Sequence, residues 1–226
     1  MNLSNPQSFL RSVKRSLKSA QHSYVLARCV AKLRPDVEPS DRLLQRLIWA
    51  WNNEDWSGDV AYLHAVCREA MLTQGQVLEC GSGLTTLLLA VYAGKRGVPV
   101  VSLEHTPEWR NLVCAALERF GLKSQVVFAP LKHYDGFDWY EVPQEAPSNV
   151  QLVICDGPPG KTLGGRYGLF PVCHSFMDPG CTILLDDAER PEEQEMMRSW
   201  AAKHPLAVQQ NKFESRRYVT LRLGSP

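Results

Sequence analysis

The stretch Val77-Leu78-Glu79-Cys80-Gly81-Ser82-Gly83-Leu84-Thr85-Thr86 decides how this chain folds. A short apolar run over Gln76–Glu79 reads as a strand, and Leu84–Ala93 repeats its apolar residues at helical spacing. Between them, Gly81 and Gly83 let the backbone turn tightly and let a ligand approach closely. A lone Gly-x-Gly is a weak signal, because turns are rich in glycine. Its setting is stronger: a strand precedes, a helix follows, and the carboxylate of Glu79 stands two residues before the first glycine.

Downstream the same alternation repeats. Apolar runs at Val98–Leu103, Gln125–Phe128, Val150–Ile154 and Cys181–Leu185 are separated by helix-period segments at Glu108–Phe120, Phe170–Met177 and Pro191–Lys203. Continuous apolar strands with helical crossovers imply a parallel sheet covered on both faces. Ala207–Phe213 and Tyr218–Leu223 read as a closing hairpin. The expected fold is α/β: a Rossmann-like, doubly wound, mostly parallel seven-stranded sheet with an antiparallel C-terminal strand, plus N-terminal helices. Upstream, Phe9, Leu10, Val13, Leu17 and Tyr24 mark an amphipathic helix that Pro35 and Pro39 interrupt. Ser40 is placed to cap a second helix, and Ser57 a third running to about Leu72. Residues 1–72 thus form an N-terminal helical segment and 73–226 the sheet domain.

Bulk properties exclude several classes. With 226 residues, 44% hydrophobic and 22% charged, the chain suits one large domain with an appendage. No apolar run approaches about 18 residues, so no membrane span is expected, and the opening residues lack a secretory signal's apolar core. The seven cysteines form no Cys-x-x-Cys pair; an odd number, several inside apolar runs, fits reduced thiols and a cytoplasmic location. Residues 1–34 carry seven Lys or Arg and no acid, whereas the rest carries 18 basic against 24 acidic residues. A basic arm of this kind reads first as a solvated helix face. It also has the composition of an organellar presequence. The acidic body disfavours nucleic acid as a partner.

The glycine turn narrows the ligand. A dinucleotide pyrophosphate would lie over it, aided by a third glycine, but that position is Thr86 and Glu79 would repel the phosphates. Glu104 ends the second strand 21 residues after Gly83, where an acid can accept hydrogen bonds from both hydroxyls of a ribose. His105 follows it and would flank an adenine. Glu-x-Gly-Ser-Gly-x-Thr-Thr, with a Glu ending strand two, resembles the first two motifs of class I S-adenosylmethionine (SAM)-dependent methyltransferases. The resemblance covers about residues 75–223; the first 70 carry none. It implies SAM as cofactor, held by Glu79, Gly81, Ser82, Gly83, Thr85, Glu104 and His105, with Pro130 near the adenine. A carboxylate at 79 would suit the ammonium of the cofactor's amino-acid end.

The fourth strand ends in Asp156-Gly157-Pro158-Pro159-Gly160-Lys161-Thr162. This is not a phosphate loop, since position 155 is Cys where the first glycine is required and no helix follows directly. Nor is it the Pro-Pro-aromatic loop that methylates flipped bases, because Gly160 stands where the aromatic would be. Strand five ends in Asp186-Asp187, and adjacency of strands four and five would bring Asp156, Asp186 and Asp187 together. The set is similar to that of metal-dependent O-methyltransferases, except that Asp187 replaces an amide; Mg²⁺ or Mn²⁺ would suit its oxygens. The alternative is that Asp187 caps the helix opening at Pro191-Glu192-Glu193.

Asp156, Lys161 and His174 are the candidate catalytic residues, with Arg166 and Tyr167 in the same loop region. Arg166 is expected either on a substrate anion or in solvent, and His133 is a weaker candidate. The expected activity is O-methylation of a small molecule or saccharide, with the N-terminal helices lining the acceptor pocket or joining a homo-oligomer. An RNA or protein methyltransferase gripping its substrate with the arm, and a non-catalytic partner protein of the same fold, are the rival readings.

Overall fold

The computed structural model describes residues 19–53, 57–143, 147–212 and 217–225. Phe9, Leu10, Val13 and Leu17 therefore lie outside the described residues, and the first helix, α1, is described over 19–30. In α2 (Asp41–Trp51) Ser40 is the cap, its side chain accepting from the Leu43 N–H. In α3 (Val60–Leu72) the cap is Asp59, not Ser57: its carboxylate accepts from the Tyr62 N–H at 2.8 Å. Ser57 lies two residues too early and donates instead to the Asn53 carbonyl.

Seven strands follow in one sheet: β1 (Gln76–Cys80), β2 (Val100–Glu104), β3 (Gln125–Phe128), β6 (Val150–Cys155), β7 (Met177–Leu185), β8 (Leu206–Lys212) and β9 (Arg217–Leu223). Their spatial order is β3-β2-β1-β6-β7-β9-β8. β9, the C-terminal strand, runs antiparallel to both β7 and β8 and lies between them. Helices α4 (Leu84–Tyr92), α5 (Pro107–Arg119), α6 (Leu169–Cys173) and α7 (Pro191–Ala201) make the crossovers. The chain leaves β1 toward β2 and β3 and returns to β6 on β1's other side. The carboxyl ends of β1 and β6, in register at Cys80 and Cys155, thus border the crevice where open α/β sheets bind ligands.

Between β3 and β6 the crossover contains a hairpin, β4 (Leu131–Tyr134) and β5 (Phe137–Tyr140), turned by Asp135-Gly136 with Gly136 at φ +84°. Helix α6 is shorter than its periodicity suggests, and the strand after it begins earlier, at Met177.

Each sheet face has its own core. Leu44, Leu47, Tyr62, Val66 and Leu87 pack with Leu152, Ile154 and Leu184 on one face. Trp139, Tyr140, Phe170 and Trp200 pack with Leu78, Val153 and Ile183 on the other. The apolar residues of α1–α3 therefore share a core with β1 and α4. Among the described residues no helix is long and apolar enough to cross a membrane, and all seven cysteines are free thiols.

Candidate functional site

The first half of the site is the turn after β1. Gly81 sits at φ +89°, and a methyl group there would lie 3.0 Å from the Gly157 nitrogen, so glycine is needed for both conformation and space. The Glu79 carboxyl is fully buried and receives three hydroxyls: Thr85 at 2.5 Å, Thr86 at 2.7 Å and Ser102 at 2.5 Å. Thr86 in turn accepts from the Gly83 N–H. Burial nevertheless pushes Glu79 up to about 7, against the pull of those hydroxyls. In this structure Glu79 fixes the first turn of α4 from beneath.

Glu104 faces the turn from the end of β2. Its Oε2 accepts from the Ser82 N–H at 3.1 Å and the Ser82 hydroxyl at 2.9 Å, and its Oε1 from the Thr106 N–H at 2.9 Å. His105 Nδ1 stands 3.3 Å from Oε1. Burial alone would raise this carboxyl, but the neighbouring His105 nitrogen and the hydrogen bonds from Thr106 and Ser82 outweigh it and hold Glu104 below its ordinary value. It is a preformed anion at the lip of the crevice. Gly81, Ser82, Gly83 and His105 are all partly exposed there; Pro130 is exposed just past β3, following the buried Ala129.

The second half is acidic. One carboxylate oxygen from each of Asp156, Asp186 and Asp187 lies within 4.8 Å of the others. Arg166 is embedded among them, only 2% exposed. Its Nη1 donates to the Asp186 carbonyl at 2.5 Å and its Nη2 to the Asp156 carbonyl at 2.6 Å, tying the ends of β6 and β7 together. The same guanidinium lies 3.4 Å from Asp156 Oδ1, 3.2 Å from Asp187 Oδ2 and 3.7 Å from Glu193 Oε1. Burial would lower its pKa, but Asp156 and the neighbouring acids outweigh that and raise it. The expectation that Arg166 faces substrate or solvent is thus corrected, because its planar fork matches two strand-end carbonyls at once. Asp187 does not cap α7 with its side chain; at φ +55° it turns its carboxylate to Arg166 and, at 2.9 Å, to Arg190.

Four carboxyls meet two guanidiniums here, and the excess falls on Asp186. Burial, then Asp156 and Asp187, push it up to about 8, and its Oδ1 has no hydrogen-bond partner among the described residues. Oxygen donors at this spacing, one of them unpartnered, with two more acidic than basic groups, fit a divalent cation in type and in formal charge.

The remaining candidates are dispersed. Lys161 is exposed on the loop after Asp156. His174 is not brought to the cluster: it stacks on Phe170 and lies tilted against His204 just before β7 begins, at the opposite edge of the sheet. Helix α6 carries the chain from the carboxyl edge, where β6 ends, toward the opposite edge, where the parallel β7 begins, and His174 lies at its far end. His133 pairs with Asp138 on the exposed face of the hairpin. Two buried tyrosines that the sequence did not single out lie near these groups, Tyr140 against Gly157 and Tyr62 within electrostatic reach of Asp156 and Asp186. Tyr62, in the first turn of α3, is fully buried, and Asp156 and Asp186 add to burial in raising its hydroxyl's pKa. Tyr140, the last residue of β5, is enclosed among the ends of β1, β2 and β6. Period-3.6 and period-2 patterns mark both simply as core residues.

No protein-family model matches the chain, and no curated protein matches it in sequence. Solved structures do match. An O-methyltransferase from Bacillus cereus, in complex with S-adenosylhomocysteine (SAH), superposes with a TM-score of 0.59 at 15% identity, over 82% of this chain and 92% of its own. An SAH-bound methyltransferase from Podospora anserina does so with a TM-score of 0.60 at 13% identity, over 100% and 99%. At such identities the likeness is one of architecture: the chain has the fold of class I SAM-dependent methyltransferases.

Proposed function

We propose that this chain is a SAM-dependent methyltransferase acting on a hydroxyl of a small molecule or saccharide. The observation that carries the reading is Glu104, an ionised carboxylate held at the lip of the crevice directly opposite the Gly81–Gly83 turn. It is the group a ribose diol requires. On binding, the Ser82 hydroxyl would give up its place on Oε2 to a ribose hydroxyl while the Ser82 N–H keeps its own. Bound SAM supplies an electrophilic methyl group on a sulfonium, so the protein's task is alignment and proton removal.

Asp156 suits the second task. Its side chain is 25% exposed, the most open of the three acids, and Arg166 fixes its backbone carbonyl. It would orient an acceptor hydroxyl and take its proton, while Lys161 lies on the loop that follows. Where a divalent ion such as Mg²⁺ or Mn²⁺ is held, Asp156, Asp186 and Asp187 would hold it, and it would supply Lewis acidity toward acceptor oxygens.

Titration calorimetry with SAH tests the cofactor assignment. The wild-type protein should bind, and Glu104→Ala should weaken binding by about 1–3 kcal/mol, the cost of leaving buried ribose hydroxyls unpaired. Binding of a nicotinamide dinucleotide but not of SAH would overturn it. Labelled SAM offered with pools of hydroxylated acceptors then tests the activity. With an acceptor in hand, EDTA should abolish turnover and Mn²⁺ restore it if the acidic cluster works through an ion. Turnover that survives EDTA and is not raised by Mg²⁺ leaves Asp156 as the base alone.

A further inference from the structure

We propose that Tyr140 is a cofactor-site residue, its hydroxyl donating to the carboxylate at the amino-acid end of bound SAM or SAH; this rests on the SAM reading above. Tyr140 belongs to the hairpin inserted between β3 and β6 and is completely buried, yet its hydroxyl has no hydrogen-bond partner among the described residues. An enclosed O–H left unpaired costs about 1–3 kcal/mol, so such a group calls for an occupant that completes it.

Its surroundings say where that occupant lies. A methyl group at Gly157 would overlap the Tyr140 hydroxyl, so Gly157 turns its bare α-carbon toward the phenol. Gly157 is also where the two loops of the site touch: its N–H donates to the Cys80 carbonyl at 2.7 Å, and a methyl group at Gly81 would lie 3.1 Å from its α-carbon. The His105 ring sits edge-on to the phenol, with centroids 6.1 Å apart. Burial, then Cys80, Glu104 and Cys155, keep the phenol protonated, so it acts as a donor.

Glu104 and His105 are assigned to the ribose and adenine on the β2 side. The hydroxyl stands on the other side of them, against the junction of the β1 and β6 loops. An oxygen acceptor is required there, and the cofactor's amino-acid end carries one as a carboxylate, met directly or through one bridging water. The two glycines keep side chains out of the way.

SAH and 5′-methylthioadenosine, which keeps the nucleoside but lacks the amino-acid end, should be titrated into the wild-type protein and Tyr140→Phe. The variant should bind SAH about tenfold more weakly, as expected for loss of one charge-assisted hydrogen bond. Its affinity for methylthioadenosine should be unchanged. Without ligand its thermal midpoint should equal or exceed the wild-type value, because an unsatisfied hydroxyl has been removed. Equal SAH affinity for both proteins overturns the proposal, as does equal weakening of both ligands. A lowered midpoint with unchanged SAH binding marks a structural hydroxyl and does the same. Failure of the wild-type protein to bind either ligand is a different result, since it removes the SAM reading itself and this proposal with it.

Discussion

Replacing Arg166 by methionine should destabilise the protein by about 3–5 kcal/mol, the usual consequence of removing one partner from a buried ion pair. Methionine keeps much of the volume but none of the charge. Asp156, Asp187 and Glu193 would then face one another with only the half-exposed Arg190 to offset them, and two strand-end carbonyls would lose their donors. In a chain of this size the midpoint should fall by about 10 °C. Arg166→Lys keeps the charge but cannot span the carbonyls of Asp156 and Asp186 together, so it should fall between the two. Calorimetric unfolding of the three proteins checks the ordering. A methionine variant within about 2 °C of wild type would mean that the acids settle by protonation without the guanidinium.

Stability should also depend on pH through Glu79. Its carboxyl titrates near 4.5 in an unfolded chain and, pushed up by burial, at about 7 in the folded protein. Between those values the folded state binds the proton that the unfolded state has released. Stability from this group is therefore complete below pH 4.5 and declines as pH rises through 7, by about 3 kcal/mol in all. Glu79→Gln cannot ionise, and the surrounding hydroxyls can rotate to accept from its amide. The difference in unfolding free energy between wild type and variant should shift by that amount from pH 4.5 to 7.5, in the variant's favour. Asp186 and Glu193, also raised, remain in both proteins and cancel. A difference that stays flat across this window would mean that the three hydroxyls hold Glu79 ionised throughout.

Much of this arrangement is legible in the sequence, for identifiable reasons. Strands β1, β2, β6 and β7 are buried on both faces, so they appear as unbroken apolar runs, and their acidic last or following residues mark the carboxyl edge at Glu104, Asp156 and Asp186. Adjacency of β6 and β7 then dictates that the acids converge. The β4–β5 hairpin was missed, although Asp135-Gly136 is a strong two-residue turn sequence flanked by aromatic residues suited to strands. The role of Arg166 could not be read, because nothing in a linear sequence distinguishes a guanidinium clamped between two strand ends from one waving in solvent. His174 failed for a related reason: closeness in sequence to the Asp156 loop does not survive a helix that carries the chain to the other edge of the sheet. Tyr62 and Tyr140 look like ordinary core aromatics, and only the positions of their hydroxyls set them apart.

The shared core of α1–α3 and the sheet has a consequence for how the molecule is made. Tyr62 packs edge-on against Tyr218, 5.8 Å between centroids, across more than 150 positions of chain. During synthesis the N-terminal helices emerge early, but the surface they cover on β6, β7 and β9 is completed only with the last strands. Part of their apolar surface packs early on α4, but the part that meets β6, β7 and β9 must wait uncovered for most of translation, and covering it closes a loop of more than 150 residues. Folding should accordingly be slow, dominated by late, long-range contacts, and most vulnerable to aggregation before β9 slots between β7 and β8.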